Sequence, residues 1–174
     1  MKTEYLLNEQ VDRILSALTP SNRLALRVSL HTGLRISDVL EMRPSDLKPQ
    51  FWLRERKTGK RKLVGLPKSL LDDLRHHAGK EWVFPGRLSP HKHRTRQAVW
   101  ADVKRAARAF RLPQNVGCHS ARKVYAVRLM EQYGDIDRVR RALNHADFAV
   151  TVIYALADQQ LRAKFPKRRA KRMP

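Results

Sequence analysis

Phe51-Trp-Leu-Arg-Glu-Arg-Lys57-Thr58-Gly59-Lys60-Arg-Lys-Leu-Val-Gly-Leu66 breaks the helical spacing that governs most of this chain. Two short runs, Phe51 to Arg56 and Arg61 to Leu66, flank Thr58-Gly59, and that arrangement reads as a β-hairpin with its turn at the glycine. On either side the apolar residues return to helical period. Upstream, Asn8 is expected to cap a helix with Val11, Ile14, Leu15 and Leu18 on one face. Pro20 and Ser21 open a second helix, apolar almost all round and so expected to be buried, which Gly33 ends. A short third helix is expected from Leu34 to Met42, before Pro44. Downstream, Pro67 starts a helix with Leu70, Leu71 and Leu74, and a further short strand is expected at Trp82-Val83-Phe84. A stripe of Val99, Trp100, Val103, Ala106, Ala107 and Phe110 marks another helix. Two more are expected at Ser120 to Gln132 and Ile136 to Leu143, and a last one around Phe148 to Leu156. The fold class is therefore α+β, mostly α, with a small antiparallel sheet.

The chain has 174 residues, long enough for one domain with a real core, and 42% of them are hydrophobic. Charge is the outlier: 37 Lys and Arg against 16 Asp and Glu give a net +21. A protein this basic repels itself unless it meets a polyanion, so nucleic acid is the expected partner. The rival, an anionic membrane surface, would need a long basic amphipathic helix or a long apolar run, and neither stands out. The bases gather at Arg54 to Lys62, Arg87 to Arg96, Arg122 to Arg141 and a tail from Leu161 to Pro174 with seven basic residues and no acidic one. Lys60, Arg61, Lys62, Arg94, Arg96 and Lys123 are the candidate DNA contacts. Cys118 is the only cysteine, which excludes an internal disulfide and a Cys-based zinc site. The N-terminal residues lack the continuous apolar stretch of a secretion signal, so a cytoplasmic location is expected. His91-Lys-His93 lies in a Pro/Gly loop among bases, and together with His76 and His77 it reads as phosphate contact or plain surface. No metal site or cofactor is expected.

Several residues carry chemistry. His119 and Arg122 stand three apart in His-Ser-Ala-Arg and share a helical face, so both can project into one pocket; a surface pair at a helix start is the plainer reading. Tyr125 continues that row and is more simply a core aromatic. Arg35, between Leu34 and Ile36, either snorkels or is a buried arginine held by Asp38 and aimed at an anion. His145 and Tyr154 are nine apart, too far for one helical face, though a loop at Asn144 to Asp147 could bring them together.

In order, these residues resemble the catalytic domain of the tyrosine recombinases, the phage-integrase family. The first arginine box looks like Thr32-Gly33-Leu34-Arg35-Ile36-Ser37-Asp38 and the hairpin lysine like Lys57 in Lys57-Thr58-Gly59-Lys60. His119-Ser120-Ala121-Arg122, Leu143-Asn144-His145 and Thr151-Val152-Ile153-Tyr154 look like the remaining boxes. Asn144 stands where the family usually has glycine, Ala121 where leucine is common, and Lys123 where histidine is frequent. The resemblance implies a catalytic domain over residues 1–160 followed by a basic tail at 161–174. It implies catalytic Arg35, Lys57, His119, Arg122, His145 and Tyr154, with Tyr154 the nucleophile that forms a 3′-phosphotyrosyl bond to duplex DNA. It also implies a homo-oligomer, a tetramer on DNA, with room for accessory DNA-bending proteins. A type IB topoisomerase, a telomere resolvase and a non-catalytic DNA-binding regulator are the alternatives that share these features. Most relatives of this kind carry a separate N-terminal clamp domain, whereas this chain begins at the catalytic boxes, as in the minimal inversion-type recombinases or a cut-down piece.

Overall fold

Pro20 starts and Gly33 stops the central helix. The computed structural model of the chain describes residues 4–143. Within it, α2 (Pro20–Thr32) has Pro20 in its first turn, where no N–H is required, and ends on Gly33 at φ 66°. Ala25, Leu26, Val28 and Leu30 are buried around much of its circumference because α1 (Asn8–Ala17), α3 (Ile36–Leu40), α4 (Lys68–His77) and α6 (Cys118–Tyr133) all pack on it. Leu70, Leu71 and Leu74 fasten α4, each worth about 1.5–3 kcal/mol of burial. α5 (Arg96–Ala109) lies on α1, α3 and α6, and α7 (Ile136–Leu143) sits on α6 through Ala126, Val139 and Leu143.

The hairpin forms where its alternation places it. β1 (Gln50–Arg54) pairs antiparallel with β2 (Arg61–Gly65), with Phe51 opposite Val64 and Leu53 opposite Lys62. Phe51 and Val64 point into the core, while Trp52 and Leu63 face out. Gly59, at φ 65°, turns the chain. Its N–H donates to Glu55 O at 2.8 Å, and the Glu55 N–H donates to Lys60 O at 2.9 Å.

Four local expectations are corrected. Asn8 is the first residue inside α1 rather than its cap; Leu7 holds that position, its N–H donating to Gln10 Oε1 at 3.0 Å. The third helix is confined to Ile36–Leu40. Residues 82–84 make no strand, because their backbone partners are split: Val83 N–H donates to Met42 O at 3.0 Å, while Phe84 O accepts from Arg94 N–H at 2.8 Å. Only an isolated bridge joins Pro85 to His93. Trp100 and Phe110 are exposed, unlike the rest of the α5 stripe. Trp100 follows Val99 directly, so it stands about 100° around the helix from the Val99–Val103–Ala106 row.

One polar joint fixes the α1–α2 corner to α5. Asp102 is buried, and its carboxylate accepts from Thr19 N–H (2.9 Å), Thr19 Oγ1 (2.9 Å), Asn22 Nδ2 (2.7 Å) and Arg105 Nε (3.0 Å). Burial alone would raise its pKa, but these donors outweigh burial and pull it down to about 2. Among the described residues no helix is long and apolar enough to cross a membrane.

Candidate active site

The corner between α2 and α3 is cross-linked at every step. Thr32 Oγ1 donates to Val28 O (2.7 Å) and accepts from Leu34 N–H (3.2 Å), and Ser29 Oγ donates to Leu34 O (2.8 Å). Gly33 supplies the left-handed φ there, and it also leaves room for the Tyr125 ring, whose Cδ1 lies 2.4 Å from where a Cβ would stand. The outcome is a rigid corner that delivers Arg35 at the start of α3.

Arg35 is held, but not by the expected partner. Its Nη1 donates to Glu55 Oε2 at 2.9 Å, and Glu55 is fully buried. Asp38 instead accepts from the Arg56 backbone N–H at 3.1 Å. Burial raises the Asp38 pKa, with Glu55 adding to the rise. Arg122, one turn into α6, reaches the same carboxylate: its Nη1 lies 4.0 Å from Glu55 Oε1. Arg122 also donates from Nη1 to Gly33 O and from Nη2 to Leu143 O. A single buried guanidinium thus joins the α2–α3 corner to the carboxyl end of α7, where a cation is favoured.

Arg35, Lys57 and His119 line one open cleft of about 660 Å³, together with Arg56, His93 and Arg96. Sequence spacing could not join them, since they come from α3, the hairpin turn and the first turn of α6. His119 stands at the rim. Partial removal from water lowers its pKa first, and the charges of Arg122, Arg35, Arg96 and Lys123 lower it further. Both effects favour the neutral imidazole, the form that can take a proton. His145, Tyr154 and the basic tail at 161–174 lie outside the described residues.

The candidate DNA contacts divide. Lys60, Arg61 and Arg96 are exposed, with the Arg61 guanidinium 5.1 Å from the centre of the Trp52 ring. Lys123 is half-buried. Arg94 is turned toward α2, its Nε donating to Asn22 Oδ1. Lys62 departs furthest from expectation. Its Nζ donates to Thr32 O at 2.6 Å and lies 5.5 Å from the centre of the Tyr125 ring. Burial, reinforced by Arg122, lowers its pKa to about 8. An ammonium spent on an internal carbonyl braces the arginine corner rather than meeting a phosphate. Cys118 is buried, and that burial pushes its thiol pKa up to about 11, which disfavours the thiolate.

Glu55 is the site residue that motif reading missed. A signal was present: along the hairpin's first arm Phe51, Leu53 and Glu55 fall on one row at period two, and that row faces inward.

This fold is the catalytic-domain fold of the tyrosine recombinases. Residues 4–160 match the model of the phage integrase family, and the chain belongs to that family. A tyrosine recombinase of Thermosipho africanus is 27% identical over 169 residues, covering 90% of this chain and 59% of that protein. Among solved structures, the XerH site-specific recombinase bound to palindromic difH substrate in a post-cleavage complex superposes with a TM-score of 0.75 at 20% identity, covering 94% of this chain and 52% of that one. A lambda integrase tetramer bound to a Holliday junction gives 0.72 at 19% identity, covering 88% and 48%. The chain spans about half the length of most of the curated relatives it matches.

Proposed function

We propose that this chain is the catalytic domain of a site-specific recombinase that cuts and rejoins duplex DNA through a 3′-phosphotyrosyl intermediate. The observation that carries the reading is the convergence of Arg35, Lys57 and His119 on one open, basic cleft, with Arg122 held behind them. In this mechanism the Tyr154 oxygen attacks the scissile phosphorus and the bond to the 5′ oxygen breaks. Arg35 and Arg122, with His145, stabilise the extra negative charge on the non-bridging oxygens. His119 takes the phenol proton, which at an ordinary tyrosine pKa near 10 would otherwise stay in place. Lys57 gives a proton to the departing 5′ oxygen. Attack by a 5′-hydroxyl on the phosphotyrosine reverses the chemistry, and because the linkage conserves the bond energy no nucleotide cofactor is consumed.

Lys60, Arg61, Arg96 and Lys123 are the proposed duplex contacts, and copies of the protein on paired sites, a tetramer in all, exchange the strands. Incubation of two distinguishable site-bearing duplexes in chelator-containing buffer tests the reading. Joined products containing one half of each are expected. Relaxation of supercoils or hairpin ends alone would place the protein with the topoisomerases or telomere resolvases instead, and binding without cutting would make it a regulator.

A further inference from the structure

We propose that Glu55 is the positioning residue of the cleft, its one carboxylate setting both the arginine pair and the turn that carries Lys57. This deepens the reading above and rests on it. Glu55 Oε2 takes two donors, Arg35 Nη1 at 2.9 Å and Thr58 Oγ1 at 2.8 Å. Its Oε1 is buried, faces Arg122 Nη1 at 4.0 Å, and has no hydrogen bond among the described residues. Its backbone closes the turn from both sides, through Lys60 O and Gly59 N–H. Lys57 is exposed at the middle of that turn, which three hydrogen bonds, from Thr58, Gly59 and Lys60, tie to the one residue Glu55.

The charge has a reason to be there. In the proposed mechanism the Arg35 and Arg122 guanidiniums serve one phosphate; they repel each other, and a carboxylate between them offsets that repulsion before DNA arrives. A buried, incompletely paired carboxylate is otherwise destabilising, and an apolar residue on this inward row would pack at less cost. Thr58 makes the link to Lys57 specific. It is exposed and adds nothing to the core, yet its hydroxyl reaches the same oxygen as Arg35.

Single-turnover cleavage at saturating DNA tests this, on a normal nicked substrate and on one whose leaving oxygen is replaced by a 5′-bridging sulfur that needs no proton. Glu55→Gln is expected to bind DNA like wild type but to cleave both substrates roughly 10- to 100-fold more slowly, as for a group displaced by a fraction of an ångström. Thr58→Val is expected to cleave the oxygen substrate several-fold more slowly, about the worth of one hydrogen bond. It should match wild type on the sulfur substrate, and Thr58→Ser should restore the oxygen rate. Wild-type cleavage by Glu55→Gln overturns the proposal, as does a Thr58→Val variant with no defect or with equal defects on both substrates. Should Glu55→Gln fail to fold by thermal melting, Thr58→Val decides alone. Lys57→Ala reports the underlying reading separately: without rescue on sulfur the acid assignment falls, and the Glu55→Gln rate still decides the arginine half.

Discussion

Replacing Gly33 by alanine perturbs the corner on which the arginines depend, and its cost can be worked from two independent contributions. The first is backbone: at φ 66° an L-residue pays about 1–2 kcal/mol. The second is contact. The new Cβ would stand 2.4 Å from Tyr125 Cδ1 and 2.5 Å from Cε1, against about 3.5–4.0 Å for relaxed carbon contact. Tyr125 is packed against the α6–α7 cluster and below the Lys62 ammonium, so the ring cannot move aside freely. Overpacking of this kind costs roughly 1–3 kcal/mol. The total is about 2–5 kcal/mol, and only the backbone part should survive in a Tyr125→Ala background. A four-protein urea cycle with Gly33→Ala, Tyr125→Ala and the double variant should therefore show a coupling of about 1–3 kcal/mol at constant m-value. Additivity within about 0.5 kcal/mol would mean that the ring does not oppose the new methyl.

Asp102→Asn should cost about 2–3 kcal/mol at pH 7 by chemical denaturation, because the amide cannot accept all the donors the carboxylate holds. The native pKa of Asp102 is depressed to about 2, so its contribution is full above 3.8 and fades as pH falls toward 2. The gap between wild type and variant should narrow over that window, and a pH-independent gap would contradict the assignment. For His119, whose pKa lies below 6.5 through burial and the neighbouring arginines, the acid limb of kcat/KM for cleavage should fall below pH 6.5. A limb at or above 6.5 that persists in His119→Gln would remove it as the base.

Much of the fold was legible in the sequence because strong local signals agreed with the packing. Pro20, Gly33 and the apolar residues between them specify a buried helix, and the Thr58-Gly59 turn specifies the hairpin. The failures have local causes. Trp82-Val83-Phe84 is apolar enough for a strand, but its backbone bonds go to two unrelated segments. Trp100 extends an apolar stripe past the width that α5 buries. At the candidate site, motif order singled out Arg35, Lys57, His119 and Arg122 but not what holds them. Asp38 looked like the partner of Arg35 because it lies one turn away. Glu55, twenty residues distant, wins because the hairpin's alternation carries it inward to the arginines. Lys62 looked like surface for the converse reason: it sits in a basic run, and only the β2 pairing with Leu53 shows that it turns toward Thr32.

Covalent catalysis by one tyrosine leaves a protein–DNA adduct that can be trapped. Suicide duplexes from the flanking genome, nicked so that the cleaved fragment diffuses away, should yield a covalent protein–DNA band with wild type in chelator-containing buffer. Peptide mapping should place the phosphotyrosine at Tyr154. Tyr154→Phe should bind the duplex normally and give no band, whereas Tyr125→Phe, which keeps the ring against Gly33, should give the wild-type amount. A covalent band that persists in Tyr154→Phe, or an adduct mapped to another residue, would rule out Tyr154 as the nucleophile.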